Sequence, residues 1–396
     1  MTAPSWRGLY PRLSLFYLFY FGTIGVFVPF FAFYLQHVGF SPVEIGQLMA
    51  IPMAMRILAP GLWGWAADHS GRRDLALRLG ALLAAAGMAL LAGASGFLSV
   101  ALGLAAFGLP WSGLLPQFEA TTLSHLGASP HRYGWIRLWG SVGFILAVLL
   151  GGLVFQGARI SAVPLVVLAL VIGTTLAVWR VPGAPASPAR DDPQALWPAL
   201  RRPWVAALLL VCLLQQASFG TYYVFFTIHL DGLGYGTGAT GAFWAWGVAA
   251  EILMFIYTPR LVERFGSRPL LVFALGVTTA RWLLTAWAAA SLPWLLVAQT
   301  MHMAAFGLFH AVAVLLVHRA FAGRLQGRGQ ALYSALGFGV GGALGSLASG
   351  YAWSALGPAA TWTGAALVSA AAMAVAWRGL VLSDRAAAKT EAETGP

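Results

Sequence analysis

The sequence has 396 residues, of which 59% are hydrophobic and 9% are charged. An ordinary soluble domain carries about 25% charged residues, so the composition excludes a soluble protein and indicates an integral membrane protein. The single cysteine excludes a disulfide framework. The net charge of +11 does not indicate nucleic-acid binding, because the basic residues lie in short segments between apolar runs.

Twelve apolar runs are long enough to cross a bilayer, since a helical span needs about 20 residues. The first run is too long for the core of a signal peptide and has no cleavage site of small residues. The predicted spans are 10–36, 43–67, 74–95, 97–125, 132–156, 161–181, 203–230, 239–259, 269–290, 293–318, 328–353 and 358–378.

One connection between spans is longer than the others. Residues 182–202 are rich in proline and alanine and lack apolar periodicity, which indicates a linker. The linker separates a bundle of six helices at 1–181 from a second bundle at 203–379. Residues 380–396 are polar and are predicted to form a disordered tail.

The basic residues predict the orientation in the membrane. Nineteen of the 23 lysines and arginines fall in the N-terminus, the even-numbered connections or the tail. Arg159 is the one basic residue in an odd-numbered connection. Because cytoplasmic segments are enriched in Lys and Arg, we expect a multi-pass protein of the inner membrane with both termini in the cytoplasm.

A ten-residue segment follows the second span and occurs again later in the chain. The copies, 64–73 and 259–268, are 195 residues apart, and the same offset aligns a Leu-x3-Gly motif at 35–39 with one at 230–234. Such a repeat indicates a duplicated fold. The two copies are predicted to be gating loops that join and release helix ends. Their residues are Gly64, Asp68, Gly71, Arg72 and Arg73 in the first copy, and Glu263, Gly266 and Arg268 in the second.

This repeated segment resembles the signature loop of the major facilitator superfamily, Gly-x-x-x-Asp-Arg-x-Gly-Arg-Arg. His69 replaces the first arginine of that loop, and the second copy has Pro259 for the glycine and Glu263 for the aspartate. The resemblance implies an all-α integral membrane fold with 12 transmembrane helices in two pseudo-symmetric six-helix bundles. It also implies alternating access, in which the bundles rock about a central site.

Several charged side chains lie inside the predicted spans. They are Arg56, Glu119, Arg137, Glu251 and Arg281, and the tenth span adds His302 and His310. A charge near the centre of a bilayer costs about 2.5–3.5 kcal/mol on insertion scales. Each of these groups is therefore expected to have a partner or to face a watery cavity.

Sequence spacing suggests two pairings among these charges. Glu119 and Arg137 are 18 residues apart on either side of a turn, so a helical hairpin places them at the same depth. They form either a structural salt bridge or part of a binding site. Arg56 and Glu251 are 195 residues apart, which makes them repeat mates of opposite charge.

Motifs in the fourth and fifth spans resemble those of lactose permease and its sugar:proton symporter relatives. Glu119 ends the string Pro-x-x-Glu, and Arg137 lies in Tyr-Gly-x-x-Arg-x-Trp-Gly. In that group the matching Glu and Arg bind substrate. The resemblance therefore implies that Glu119 and Arg137 contact the transported solute.

In the ninth and tenth spans, Arg281 and His302 match the Arg and His of the proton-coupling cluster in the same group. Two departures accompany this match. Ala305 stands where the group has an acid, and Glu251 lies about one turn from the acid that the group has in its eighth helix.

A narrower resemblance is to the 3-phenylpropionic acid transporter family. It rests on Phe-x-x-Trp-Gly-Val-Ala-Ala-Glu ending at Glu251, Ala-Arg-Trp around Arg281, and Gln-x-x-His ending at His302. The resemblance implies a symporter for an aromatic acid.

The sequence therefore predicts a proton-coupled symporter of a small organic solute, an aromatic carboxylate such as a phenylpropionate-like acid. Arg137 is expected to bind the carboxylate, with Arg56 as a second candidate, because a guanidinium matches a carboxylate in geometry. Tyr20 and Trp139 are expected to hold the aromatic ring. Proton coupling is assigned to Glu251, Glu119, Arg281 and His302.

No phosphate loop, metal-spaced Cys/His cluster or nucleophile motif occurs in the sequence. We therefore expect no cofactor, no metal and no enzymatic activity, with a proton gradient as the driving force. The expected partners are the solute, the proton and the lipid bilayer, and the chain is expected to act as a monomer. The alternatives are a sugar or nucleoside:proton symporter, an exporter, and a non-transporting membrane sensor on the same fold.

Overall fold

The computed structural model describes residues 6–70, 73–127, 129, 132–183 and 196–380, with the backbone alone at 6–7, 60, 64–70, 73 and 324. Regular structure within these residues is helical. The helices are α1 Trp6–His37, α2 Pro42–Ser70, α3 Arg73–Ala92, α4 Phe97–Leu126, α5 Tyr133–Val154, α6 Val163–Arg180, α7 Trp197–Leu200, α8 Pro203–Gly232, α9 Thr237–Phe265, α10 Ser267–Trp287, α11 Leu292–Thr300, α12 Phe309–Ala320, α13 Gln326–Ser334 and α14 Gly342–Gly379. Short 3-10 helices lie at Gly157–Ala162 and Gly323–Leu325, and π-helical segments lie at Met303–Leu308 and Ala335–Gly341.

Eleven helical segments in the described part of the chain are long and apolar enough to cross a membrane. The last of them, Gln326–Gly379, covers 54 residues, far more than one span requires. Its helical geometry breaks at Gly357, where φ is 78° and ψ is 178°. This break separates the segments predicted as 328–353 and 358–378. The predicted all-α membrane fold is therefore confirmed.

Two helices end in the same glycine motif at positions related by the repeat. At the end of α1, the amides of Gly39 and of the next residue donate to carbonyls three and five residues back, at 3.0 and 3.1 Å. At the end of α8, Gly234 and its successor make the same two bonds, both at 2.9 Å. The φ angles of the two glycines are 96° and 85°, a conformation that costs glycine little. The repeated Leu-x3-Gly motif is therefore a helix C-terminal cap.

The chain folds into two compact units. One contains Met1–Ala189 and Tyr223–Ala245, and the other contains Arg190–Tyr222 and Trp246–Pro396. Helices α8 and α9 therefore each contribute to both units. Most of the predicted linker, 184–195, lies outside the described residues, and its last part includes the short helix α7. The predicted division into two six-helix bundles stays a prediction.

In each unit a glycine lies close to the backbone of a neighbouring helix, at a leucine whose position is related by the repeat. In the first unit, a β-carbon at Gly143 of α5 would contact the carbonyl oxygen of Leu18 on α1. In the second, a β-carbon at Gly341 would contact the carbonyl oxygen of Leu213 on α8. Leu18 and Leu213 are 195 residues apart. Glycine lets the two backbones approach closely, as is common between membrane helices.

Candidate functional site

The first unit holds an acid between two of its helices. Glu119 on α4 is half-buried, and its Oε1 accepts a hydrogen bond of 2.9 Å from the hydroxyl of Tyr133 on α5. The ring of Tyr133 also meets the ring of Tyr17 on α1 edge-on, with centroids 6.4 Å apart. The hydroxyl of Tyr17 lies 3.4 Å from Oγ1 of Thr122. Three helices therefore fix the position of one carboxylate.

Arg137 lies four residues after Tyr133 and is held by aromatic rings. Its guanidinium carbon lies 4.0 Å from the ring centroid of Phe21 and 6.0 Å from that of Tyr17. Cation–π contacts of this kind hold a guanidinium without neutralising it. Within the described residues, Arg137 makes no direct ion pair with Glu119. The direct salt bridge that spacing left open is therefore not the arrangement that the structure has.

Aromatic rings of α1 and α4 form a stacked row beside these charges. Phe16 stacks on Phe118 at 3.6 Å and on Tyr20 at 5.4 Å, and Tyr20 stacks on Trp111 at 4.3 Å with an interplanar angle of 6°. All four rings are buried. The row is an apolar stack shared by α1 and α4, and Tyr20 contributes its one hydroxyl.

Arg56 and Trp139 are the other residues predicted to bind the substrate. Arg56 on α2 is half-buried. Trp139 is 38% exposed, and its Nε1 donates to the hydroxyl of Tyr10 at 2.8 Å. Two residues along a helix is more than half a turn, so Trp139 lies on a different face of α5 from Arg137. The structure thus links Tyr20, Glu119 and Arg137 through shared aromatic neighbours and leaves Trp139 apart.

The second unit buries an arginine completely. Arg281 on α10 donates from Nε to the carbonyl of Ala298 and from Nη2 to Oε1 of Gln299, both at 2.9 Å. Its guanidinium carbon lies 4.3 Å from the ring centroid of Tyr222 and 4.5 Å from that of Trp282. A buried charge needs hydrogen bonds to replace water, and α11 supplies both acceptors.

A carboxylate and an imidazole meet in the same unit. Oε2 of Glu251 on α9 lies 3.4 Å from Nε2 of His302, with side-chain exposures of 15% and 7%. A β-carbon at Gly307 would lie 3.0 Å from Cγ of Glu251, so the absence of a side chain there makes room for the acid. The structure therefore brings together Glu251 and His302, which are predicted proton-coupling residues.

A π-helical segment follows His302 directly. The amide of Phe309 donates to the carbonyl of Ala304, five residues back, as in a π-helix. The carbonyl of the next residue, Ala305, accepts a hydrogen bond of 2.9 Å from Nε2 of Gln215 on α8, which also bonds Oγ1 of Thr278 at 3.0 Å. The symporter group has an acid at the position of Ala305. In this chain the backbone carbonyl of Ala305 accepts a hydrogen bond from Gln215 there.

The second gating loop is described in full. Gly266 has φ 77° and precedes the first turn of α10. Arg268 donates from Nη2 to the carbonyl of Trp377 at 2.5 Å and stacks on that indole at 5.5 Å, so it holds the end of α14. A cation suits a helix C-terminus. Glu263 is exposed at the end of α9.

The first gating loop is described only in part, with no side chains. Gly71 and Arg72 are not described, and of Gly64, Asp68 and Arg73 the structure describes only the backbone. A related contact exists nearby, because Nη2 of Arg78 lies 3.4 Å from the carbonyl of Val181, just beyond the end of α6. In each unit an arginine therefore reaches the C-terminal end of a helix.

The sequence-based predictions gave no role to the residues that hold these groups, namely Tyr17, Tyr133, Tyr222 and Gln299, although Tyr133 and Gln299 stand in the quoted motifs. Spacing and polarity could have indicated these two. Tyr133 precedes Arg137 by four residues and so lies on the same helical face. Gln299 is a polar residue inside an apolar run, three residues before His302.

Two curated relatives align with most of the chain. The probable 3-phenylpropionic acid transporter of Escherichia coli strain K12 is 32% identical over 372 residues, which are 91% of this chain and 95% of the relative. The maltose permease of Geobacillus stearothermophilus is 31% identical over 350 residues, which are 85% of this chain and 86% of the relative.

Solved structures share the fold at low identity. The crystal structure of the nucleoside transporter NupG superposes with a TM-score of 0.80 at 16% identity, covering 93% of this chain and 97% of that one. The crystal structure of the POT family transporter PepTSo gives a TM-score of 0.78 at 12% identity, covering 97% and 99%. A match to the MFS_1 like family spans residues 10–363. The chain therefore belongs to the MFS_1 like family and is a multi-pass membrane transporter.

Proposed function

We propose that this protein is a proton-coupled symporter of the inner membrane that carries an aromatic carboxylate by alternating access. Its termini lie in the cytoplasm, it acts as a monomer, and the proton gradient replaces any cofactor. Inward movement of a proton releases about 2.3 kcal/mol per 100 mV of membrane potential. That free energy is the source of accumulation.

The observation that carries the proposal is the state of Arg137. Its guanidinium rests on Phe21 and makes no direct ion pair within the described residues, while Glu119 is engaged by Tyr133. A guanidinium in this setting favours an anionic ligand, and carboxylates match its paired donors. The buried stack of rings around Tyr20 gives this part of the unit an aromatic environment, which favours a solute with an aromatic ring. Together they suit a molecule with a ring at one end and a carboxylate at the other.

Proton coupling is supported by the second unit. The Glu251–His302 contact joins two groups that titrate, and both are largely buried. Arg281 lies in the same cluster through Tyr222, whose ring contacts both Arg281 and His302. A proton bound at Glu251 or His302 changes the net charge of this cluster, which is the property a coupling site needs.

The 32% identity with a probable 3-phenylpropionic acid transporter agrees with an aromatic acid as the solute. The 31% identity with a maltose permease favours a second candidate, proton symport of a sugar. Arg137 suits both solutes, since a guanidinium can donate hydrogen bonds to sugar hydroxyls, but only a carboxylate also neutralises its charge.

Uptake into proteoliposomes tests the proposal. We expect labelled 3-phenylpropionate to accumulate when the outside is acidified and a protonophore to abolish the accumulation. Labelled maltose and uridine serve as comparison solutes. Accumulation of maltose or uridine without 3-phenylpropionate would replace the proposed solute. Outward pumping against the proton gradient would instead identify an exporter.

A further inference from the structure

Three aromatic rings form a column along the tenth predicted span. The imidazole of His302 stacks on Phe306 at 5.5 Å and 9°, and Phe306 stacks on the imidazole of His310 at 5.7 Å and 6°. The column begins at the Glu251–His302 contact. It therefore extends from the proposed coupling site toward the end of α12, which the charge distribution places in the cytoplasm.

The π-helical segment explains why the rings are parallel. In an α-helix, four residues overshoot a full turn by about 40°, so rings at successive i+4 positions rotate away from one another. The wider π turn at Met303–Leu308 offsets this rotation. Such segments are frequent at functional sites.

His310 has a defined hydrogen-bond partner at the far end of the column. Its Nδ1 lies 2.9 Å from the hydroxyl of Tyr333 on α13. Phe338, from the second π-helical segment, meets His310 at 6.1 Å and Tyr333 at 5.9 Å. A hydroxyl can donate to a neutral imidazole and accept from a protonated one. Tyr333 can therefore hold His310 in either protonation state.

Burial decreases along the column. His302 is buried, and its Nδ1 has no hydrogen-bond partner in the described part of the chain. His310 is half-buried. A proton at His302 is thus enclosed, whereas one at His310 is partly accessible.

The elements packed against α12 include α10, α13 and both π-helical segments, and α8 and α9 contribute to the same hydrophobic core. The charged and titratable groups of α10, α12 and α13 besides His310 are Arg268, Arg281, Arg328, Tyr333, His318 and Arg319. The parts of α8 and α9 in this unit carry Cys212, Tyr222, Glu251, Tyr257, Arg260, Glu263 and Arg264. Two of them, Arg268 and Arg281, make the contacts with Trp377 and Gln299 already described. Tyr333 contacts His310 directly.

We propose that His310, held by Tyr333, is a second proton-relay residue between the Glu251–His302 pair and the cytoplasm. The proton leaves the Glu251–His302 pair and is carried past Phe306 by water molecules. It then binds a ring nitrogen of His310 and is finally released to water in the cytoplasm. His310 is neutral again at the end of each cycle. Phe306 separates the two stations, so a proton does not pass between the imidazoles directly. The proposal rests on the proton coupling of the proposed function.

The test uses the full chain in proteoliposomes with labelled 3-phenylpropionate. His310→Gln removes titration but keeps a hydrogen-bonding side chain, and Tyr333→Phe removes only the hydroxyl. His318→Gln is the matched control, because it changes another half-buried histidine of α12 outside the column. Each variant is measured for proton-driven accumulation over a range of external pH and for solute exchange without a gradient.

We expect His310→Gln to slow accumulation by about a hundredfold, the lower end of the effect of positioned proton-transfer groups. Exchange should continue at the wild-type rate, because it needs no proton release. Tyr333→Phe should shift the pH profile of accumulation, and His318→Gln should change nothing. In His310→Ala, imidazole inside the vesicles should restore part of the accumulation.

Two results would overturn the relay. One is wild-type accumulation by His310→Gln in vesicles where the parent protein is coupled. The other is a parallel loss of exchange and accumulation without rescue by imidazole, which identifies a structural role. If the parent protein itself shows no proton-driven accumulation, the proposed function fails instead.

Discussion

Oε2 of Glu251 lies 3.4 Å from Nε2 of His302, so an acid of α9 and an imidazole of the tenth span share one largely buried contact. Sequence spacing related Glu251 to an arginine, its repeat mate Arg56. The difference matters because an Arg keeps its charge, whereas His can lose it. A carboxylate–imidazole pair can therefore change its charge by one proton, as a coupled unit.

Glu251→Gln should uncouple the proton from transport. Gln keeps the shape and the hydrogen bond but cannot titrate, so accumulation against a gradient should vanish while exchange with preloaded vesicles persists. Asp231→Asn, at an exposed acid near the end of α8, is the control and should keep both activities. Unchanged accumulation in Glu251→Gln would remove this residue from the mechanism, and equal loss of both activities would indicate a structural role.

Arg137→Ala should weaken binding of an aromatic carboxylate by about a hundredfold, since it leaves the ligand's charge without a partner. Arg137→Lys should recover little of this affinity, because a point charge does not replace a bidentate fork. Binding to purified protein in detergent measures both effects. Arg159→Ala, at an exposed arginine, is the control. Full affinity in the Lys variant would rule out the bidentate arrangement.

Gln299→Leu should destabilise the second unit. It removes the acceptor of the Nη2–H bond of the fully buried Arg281, and a buried donor left without its partner costs about 1–3 kcal/mol. Thermal unfolding in detergent should show a lower melting temperature. Gln156→Leu, at an exposed glutamine, should not. Equal melting temperatures would mean that Arg281 finds another acceptor at no cost.

Gly345→Ala and Gly364→Ala should act in opposite directions, although both change a glycine in α14. A β-carbon at Gly345 would contact the carbonyl oxygen of Ala217, whereas none of the described atoms lies within 4 Å at Gly364. Crowding typically costs about 1–3 kcal/mol, and replacing an uncrowded helical glycine gains up to about 1 kcal/mol. Melting temperatures compare the two variants. A stabilised Gly345→Ala would contradict the close crossing.

Reporter fusions test the orientation. A reporter after Pro396 should be active in the cytoplasm, and one inserted at 231–238 should be active on the opposite side, because cytoplasmic segments of membrane proteins are generally enriched in Lys and Arg. A cysteine-labelling assay with a membrane-impermeant reagent provides an independent measurement. The reverse pattern would contradict the charge count.

Sequence alone was sufficient for the membrane fold. Apolar length fixes the position of each span, because the bilayer sets how many residues must be covered. The offset of 195 residues identified paired structural features, and the Gly39 and Gly234 caps confirm one such pair. The segment 64–73 identified the superfamily, although its side chains are not described. All of these are local or periodic properties of the chain.

Only the tertiary structure decided which charges meet. Spacing places Glu119 and Arg137 at one depth but does not determine which way each helix is turned, and the structure gives them Tyr133 and Phe21 as neighbours. The π-helical segment after His302 was equally hidden, because one of its carbonyls, that of Ala305, accepts a hydrogen bond from Gln215, 90 residues away in sequence. Helix rotation and contacts between distant segments depend on the packing of the whole unit, so no local pattern encodes them.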